Sequence, residues 1–271
     1  MKGIIDLTVL QVAAAYVFVL FVLFIVKLRG IKKEREIVIA SFRMTLQLML
    51  TGYVLVYVFA HPKPWLTMVL IFAMEVFAVF TVYRKFKGQL TRGLKQVIAI
   101  ALCSGTLCCI LYFLFVVVRI SPWYDPQYCI PLAGMFIGNS MTGVSLGVKS
   151  LLEGLLNRKS LVEEALILGA TPSIAMKKII DSTFDSAIMP TINSMLGMGI
   201  VFLPGMMTGQ ILSGVSPTTA IAYQMAIMLG ILGSVALSVI ILLQLGYRTF
   251  FNSESQLIME TGTMKRKKGW F

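Results

Sequence analysis

The stretch "LVEEALILGATPSIAMKK", residues 161–178, is a charged segment with helical character inside a chain that is 58% hydrophobic. Gly169 suits the end of one helix, because a left-handed C-terminal residue is usually glycine. Thr171 suits the N-cap of the next helix, and Pro172 suits its first turn. The flanking sequences "VKSLLEGLLNRKS" and "IIDSTFDSAI" continue a helical spacing of apolar residues. The stretch therefore predicts a helix, a tight turn and a second helix, here called the elbow, residues 149–189.

Composition indicates that the sequence around the elbow lies in a membrane. The mean hydropathy is +0.86 and only 13% of residues are charged, whereas charged residues make up about 25% of a soluble domain. A spanning helix needs roughly 20 mostly apolar residues. Seven runs of this kind lie at 7–26, 37–60, 64–83, 96–118, 130–148, 190–212 and 219–243. We expect an all-α integral membrane protein with about seven transmembrane helices, forming a single transmembrane domain over residues 1–271. No cleaved signal peptide is recognisable.

The Lys and Arg residues predict how this domain is oriented. Of the 24 such residues, all but Lys2, Arg43, Lys63 and Arg119 lie in the links 27–36, 84–95 and 149–189 or in the tail 244–271. Cytoplasmic loops carry the excess of positive charge. We therefore expect an external N-terminus, a cytoplasmic C-terminus and a cytoplasmic elbow. The basic balance is explained by topology and by anionic lipid headgroups, so no nucleic-acid partner is expected.

Two interpretations of the elbow remain open on pattern alone. An amphipathic helical hairpin can lie on the lipid headgroups. Alternatively, its turn can dock into a groove of a cytoplasmic protein.

The sequence "EEALILGATP" resembles the cytoplasmic coupling loop of ABC transporter permeases, whose pattern is Glu-Ala-Ala, three residues, then Gly. Glu163, Ala165 and Gly169 fall on this pattern, and Glu164 replaces the first Ala. Asp181 and Ser182 stand where importer permeases usually have Leu-Pro. The resemblance implies that contacts to an ATPase are made by Glu163, Glu164, Ala165, Gly169, Ala170, Thr171 and Pro172.

Longer motifs resemble the FetB family of ABC permeases, from about Arg43 onward. They are "IPLAGMFIGNSMTGVSLG" at 130–147, "PTINSMLGMGIVFLPGMMTGQILSGVSP" at 190–217 and "YRTFFNSESQL" at 247–257. The resemblance implies a permease subunit in the cell membrane that exports iron or a related metal ion. A separate FetA-like subunit would bind ATP and Mg and hydrolyse the nucleotide, so this chain would bind no cofactor and would not itself be an enzyme. Plant members are linked to aluminium tolerance. We expect the permease to act as a homodimer.

Charged residues inside spans cost roughly 2.5–3.5 kcal/mol each on insertion scales, so they suggest a function or a partner. Arg43 and Glu75 fall at similar depths in the second and third spans. We predict an ion pair between them, with Gln47 one turn from Arg43. The pair would either fix helix packing or open to bind a cation at Glu75.

Further candidates for a translocation path lie in the fifth and sixth spans: Asn139, Ser140, Asn193, Met206 and Met207. The polar residues would line a path or form hydrogen bonds between helices. The methionines suit soft metal ions or adaptable packing. Pairs of glycines at 134 and 138, 143 and 147, and 205 and 209 predict close helix packing or a dimer contact. The ligands of a metal remain unknown.

No nucleotide-binding loop, catalytic pair or retinal-binding Lys is present in the sequence. Two functions from other classes stay open as alternatives. The polar fifth and sixth spans could line an ion channel, or the seven spans could form a receptor without ATP coupling.

Overall fold

The computed structural model describes residues 8–252 and 254–258, and over these residues the chain is all-helical. The helices are α1 (Val9–Leu28), α2 (Glu34–Ala60), α3 (Pro64–Lys85), α4 (Arg92–Tyr112), α5 (Pro126–Asn157), α6 (Lys159–Ile167), α7 (Pro172–Gly197), α8 (Gly205–Leu212) and α9 (Pro217–Gly246). A π-helical segment, Phe113–Val118, continues α4, and a 3₁₀ turn, Tyr247–Phe250, follows α9. Residue 7, Lys2 and the four basic residues at 265–268 lie outside the described residues.

Local sequence explains where several helices begin. Thr8 and Gln11 form a reciprocal capping box at the start of α1, which satisfies two otherwise unpaired N–H groups. The Thr91 side chain accepts the N–H of Leu94 at the start of α4. Proline occupies the first turn of α3, α5, α7 and α9, where its missing N–H costs nothing.

Within the described residues, six helical segments are long and apolar enough to cross a membrane. They are Val9–Leu28, Glu34–Ala60, Pro64–Lys85, Arg92–Val118, Pro126–Asn157 and Pro217–Phe250. They match the first five predicted spans and the seventh, so the prediction of a multi-pass helical membrane protein is confirmed.

The predicted sixth span, 190–212, is not one continuous helix. Its first part belongs to α7, which begins at Pro172 and passes through Pro190 without a break. Helix α7 ends at Gly197, and α8 begins only at Gly205. Gly199 adopts a left-handed φ of 82°, and Pro204 supplies no N–H for a continuing helix. These residues interrupt the span where the apolar pattern alone predicts continuity.

Helix α5 has no break at the predicted boundary between the fifth span and the elbow, which lies at residues 148 and 149. Helix α5 runs for 32 residues to Asn157, a length of about 48 Å at 1.5 Å per residue. The hydrocarbon core of a bilayer is about 30 Å thick. One helix therefore covers both the predicted fifth span and the first part of the elbow, and it is longer than the hydrocarbon core is thick.

The core lies where α4, α5 and α9 pack together, with α3 and α7 against α5. Fully buried side chains at this centre include Leu102, Phe136 and Leu242. By contrast, α1 and α2 form a hairpin beside the bundle, and the apolar window of neither helix is buried. Tyr16 and Thr45 share a hydrogen bond across this hairpin.

Candidate functional site

The segment 158–171, here called the connector, contains α6 and the tight turn that joins α6 to α7. The N–H of Ala170 donates to the Ala165 carbonyl (2.9 Å), and the N–H of Gly169 donates to the Leu166 carbonyl (3.0 Å). Gly169 has a φ of +88°. These two bonds and the left-handed glycine form a Schellman C-cap. The predicted cap at Gly169 and the predicted start at Thr171 and Pro172 are confirmed, although the Thr171 side chain makes no capping bond.

The connector sits on a stalk formed by the projecting end of α5 and the first turns of α7. The Cα of Gly154 faces Ile179 so closely that a Cβ would lie 2.9 Å from its Cγ2. Nearby, the Ser150 hydroxyl donates to the Thr183 hydroxyl (3.3 Å). Close packing of this kind transmits displacement because interiors compress little. The two helices can therefore carry a movement of the connector toward the membrane-spanning bundle.

The tip of the connector presents large apolar side chains away from the protein. Ile167 is 83% exposed and Leu168 is 87% exposed, next to exposed Leu161 and Ile174. Glu164 is exposed beside them, while half-buried Glu163 pairs with Lys159 (3.5 Å). Exposed apolar side chains clustered on a turn are typical of a contact surface for another protein or for a membrane.

The predicted ion pair between Arg43 and Glu75 is wrong. Arg43 and Gln47 are exposed and line a shallow groove on the surface of α2. Helix α2 packs mainly on α1, so the chain order of the second and third spans does not place these two residues together. In the described part of the chain, Arg43 makes no salt bridge.

Glu75 instead lies inside the bundle. Its side chain is on the buried face of α3, and the residue is 8% exposed. One carboxyl oxygen, Oε1, is hydrogen-bonded to the Thr106 hydroxyl on α4. The other, Oε2, is buried without a hydrogen-bond partner.

The remaining candidates for a path do not converge on one site. The Ser140 hydroxyl is bonded to that of Ser234 on α9 (2.8 Å) and is fully buried. Asn139 is exposed and donates to the Met135 carbonyl of its own helix (2.7 Å), and Asn193 is exposed on α7.

The two methionine candidates lie together on α8. Met207 is buried, and Met206 packs partly against the core. Within the described residues, no three His, Cys, Asp or Glu side chains gather closely enough to hold a metal ion.

Several predicted glycine contacts are made within the chain. A Cβ on Gly143 would lie 2.7 Å from Val235 Cγ1, and one on Gly147 would lie 3.1 Å from Leu242 Cδ2. A Cβ on Gly134 would lie 3.0 Å from Met74 Cε. Gly138, Gly205 and Gly209 have open space.

A close contact to backbone that the sequence pattern does not predict lies between α4 and α9. A Cβ on Gly105 would lie 2.8 Å from the Ser238 Cα and 2.9 Å from its backbone nitrogen. Residues Ala101 and Gly105, like Ser234 and Ser238, follow the spacing of two small residues four apart, which favours close helix approach. Thr106, Ser234 and Ser238 are therefore further polar residues of the bundle centre.

Comparison with known proteins identifies the relatives of this structure. The chain is 31% identical over 258 residues to a protein of Escherichia coli named probable iron export permease protein FetB, covering 95% of this chain and 96% of that one. It is 33% identical over 231 residues to a UPF0014 membrane protein of Synechocystis, covering 85% of this chain and 89% of the relative. It is also 33% identical over 246 residues to Protein ALUMINUM SENSITIVE 3 of Arabidopsis thaliana, covering 90% of this chain and 88% of the relative.

No solved structure matches the chain significantly. The model of one family, described as the uncharacterised protein family UPF0014, matches residues 9–251. That match includes every helix of the bundle and the connector. The chain is therefore a multi-pass membrane protein of the UPF0014 family.

Proposed function

We propose that the chain is the permease subunit of an ABC transporter that exports iron or a related metal ion. The observation that carries the proposal is the connector tip, where Ile167 and Leu168 stand exposed on a turn held by α5 and α7. The similarity to a probable iron export permease supports the cargo and the direction. The energy of ATP hydrolysis would enter through this tip.

The proposed partner is a cytoplasmic FetA-like ATPase, which binds ATP and Mg in place of this chain. Two permease chains and two ATPase chains form the proposed complex. The Lys and Arg distribution supports an external N-terminus and a cytoplasmic C-terminus. With that orientation, the connector lies on the same side as the ATPase.

The proposed mechanism uses the stalk as a lever. When the ATPase subunits close, they displace the connector, and the contact between Gly154 and Ile179 makes α5 and α7 move together. The break at 198–204 separates α7 from α8, so α7 can tilt while α8 stays on α9. Such rocking of helices alternates access to a site within the membrane.

The test measures recruitment and stimulation of the ATPase in proteoliposomes containing both purified subunits. Leu168→Glu puts a charge on the apolar tip, and we expect about a tenfold weaker association, corresponding to ~1.4 kcal/mol. ATPase stimulation and metal transport should fall with it.

Gln89→Glu is the matched control, because Gln89 is exposed in the link between α3 and α4. That link is basic like the elbow, so the control adds the same charge on the same predicted face. Equal effects of the two variants, or no stimulation by the unaltered chain, would contradict the proposal.

A further inference from the structure

Glu75 is a carboxyl group at the middle of a membrane-spanning helix. It lies 11 residues from Pro64 and 10 from Lys85, the ends of α3, or roughly 15 Å from either end at 1.5 Å per residue. Its side chain faces the protein rather than lipid, because the residue is only 8% exposed. An ionisable group at this depth requires a partner or a function.

The hydrogen bonds around Glu75 can accommodate a protonated carboxyl. The Thr106 hydroxyl lies 2.7 Å from the Leu102 carbonyl of its own helix and also contacts Glu75 Oε1. A hydroxyl has one proton, so it cannot donate fully to both acceptors. If Thr106 donates to Leu102, the second contact is satisfied by a carboxylic acid that donates its own proton to Thr106.

Among the residues that the structure describes, no cation offsets a negative charge on Glu75. Within the described chain Glu75 has no salt bridge, and α4 carries its cations, Arg92 and Lys95, in its first turn. The titratable group of α4 within electrostatic range is Cys103, a thiol. Helix α5 contributes no titratable side chain between residues 130 and 148. An ionised carboxylate here would be buried with Oε2 unpartnered, which is strongly unfavourable.

We propose that Glu75 is a neutral carboxylic acid at rest and is the site at which a divalent metal cation replaces a proton during transport. The two carboxyl oxygens of Glu75 and the Thr106 hydroxyl are the side-chain oxygens that the site offers. Carboxylate and hydroxyl oxygens suit hard and borderline cations such as Mn²⁺ and Fe²⁺ better than Cu⁺. The cation half of this inference rests on the proposed function, whereas the proton half does not.

The exchange balances without any redox step. The O–H bond of the carboxyl breaks, and its electron pair stays on oxygen. The proton passes to water when the helices separate, and the metal ion binds the resulting carboxylate. The metal keeps its oxidation state, and the reverse step reloads the proton after the ion has left. The net charge of the site is +1 with the divalent ion bound to the carboxylate and zero with the proton bound.

The test is labelling of the purified full-length chain with N,N′-dicyclohexylcarbodiimide, an apolar reagent that adds to protonated carboxylic acids. Glu153 is exposed and pairs with Lys149 (3.8 Å), so it is the comparison carboxyl. We expect modification at Glu75 and not at Glu153, located by peptide mass spectrometry. Mn²⁺ at about ten times its Kd, or Fe²⁺ without oxygen, should slow the labelling about tenfold, whereas K⁺ at equal ionic strength should not.

Two variants keep the test decisive. Glu75→Gln retains the shape of the side chain and should remove the labelling while the protein stays folded. Thr106→Val keeps the carboxyl, so labelling should persist while protection by Mn²⁺ weakens. An unlabelled Glu75 in the folded chain would overturn the proton half, and labelling that Mn²⁺ leaves unchanged would overturn the cation half. Because the ATPase is absent from this assay, a failure of coupling would be seen only in the proteoliposome experiment.

Discussion

At the scale of single residues, Gly105 allows α4 to approach α9 at the centre of the bundle. The neighbouring backbone of Ser238 lies so close that a methyl group would have no room. Since backbone cannot yield as a flexible side chain does, the two helices must separate if Gly105 gains a Cβ. Ser238 Oγ is already buried there without a hydrogen-bond partner.

We predict that Gly105→Ala destabilises the protein by about 1–3 kcal/mol, the usual range for overpacking a core. The measurement is the free energy of unfolding in detergent, or the midpoint of thermal unfolding. Gly138→Ala is the control, because Gly138 lies in a helix and has open space. That substitution should be neutral or slightly stabilising, since Ala favours helix over Gly. Similar losses for both variants would contradict the contact between α4 and α9.

Sequence reasoning works for residues whose role is local and fails where the partner is distant. Gly169 and Pro172 were predictable because caps depend on neighbours along the chain. The partner of Glu75 is not predictable in this way, because spans that follow one another in the chain need not pack together. In the structure α3 packs on α4 and α5 while α2 stays with α1, which brings Thr106 to Glu75 and leaves Arg43 outside.

At the scale of helices, the connector depends on a backbone conformation that few residues adopt. Gly169 has a φ of +88° and nothing within contact distance of a Cβ. Substitution there is therefore limited by backbone strain alone and not by packing.

We predict that Gly169→Val loosens the turn between α6 and α7 by about 1–2 kcal/mol, the cost of a left-handed β-branched residue. Gly169→Asn should be tolerated better, because Asn is the next most frequent residue at this cap. The measurement is the rate of limited proteolysis or hydrogen exchange within 158–171. Equal rates for the two variants would show that the left-handed cap does not stabilise the connector.

The length and spacing of apolar runs predict most of the long helices but not their interruptions. Residues 190–212 are apolar enough to form a span, yet Gly197, Gly199 and Pro204 divide them. The predicted ends of the elbow, at residues 149 and 189, are not helix ends, because α5 and α7 each continue through them without a break. Lys149 and Glu153 interrupt the apolar pattern, but they form an (i, i+4) pair (3.8 Å) on a helix that continues past them. A change in polarity marks the membrane boundary and not the end of a helix.

At the scale of the whole molecule, the distribution of positive charge predicts the orientation. The links after α1 and α3 and the stalk end of the bundle are basic, whereas the links after α2 and α8 are short and nearly uncharged. Because Lys and Arg remain on the cytoplasmic side, the connector and both basic links should share one side. With seven spans, α7, the 198–204 break and α8 must together cross the membrane in place of the sixth, so the link at 213–216 and the tail lie on opposite sides.

We predict that single cysteines placed in the links will sort by side when challenged with a membrane-impermeant maleimide. The four native cysteines are first replaced with alanine, since Cys103 and Cys108 are exposed. In intact cells, His61→Cys and Ser213→Cys should react at once, and Gln89→Cys and Ser173→Cys only after permeabilisation.

Labelling of Ser173→Cys from outside would place the connector on the external face, away from any cytoplasmic ATPase, and would remove the physical basis for ATP coupling. If Ser173→Cys and Ser213→Cys both react only after permeabilisation, then α7, the 198–204 break and α8 together fail to cross the membrane. The two outcomes separate an error in orientation from an error in the number of spans, which no substitution in the connector alone can do.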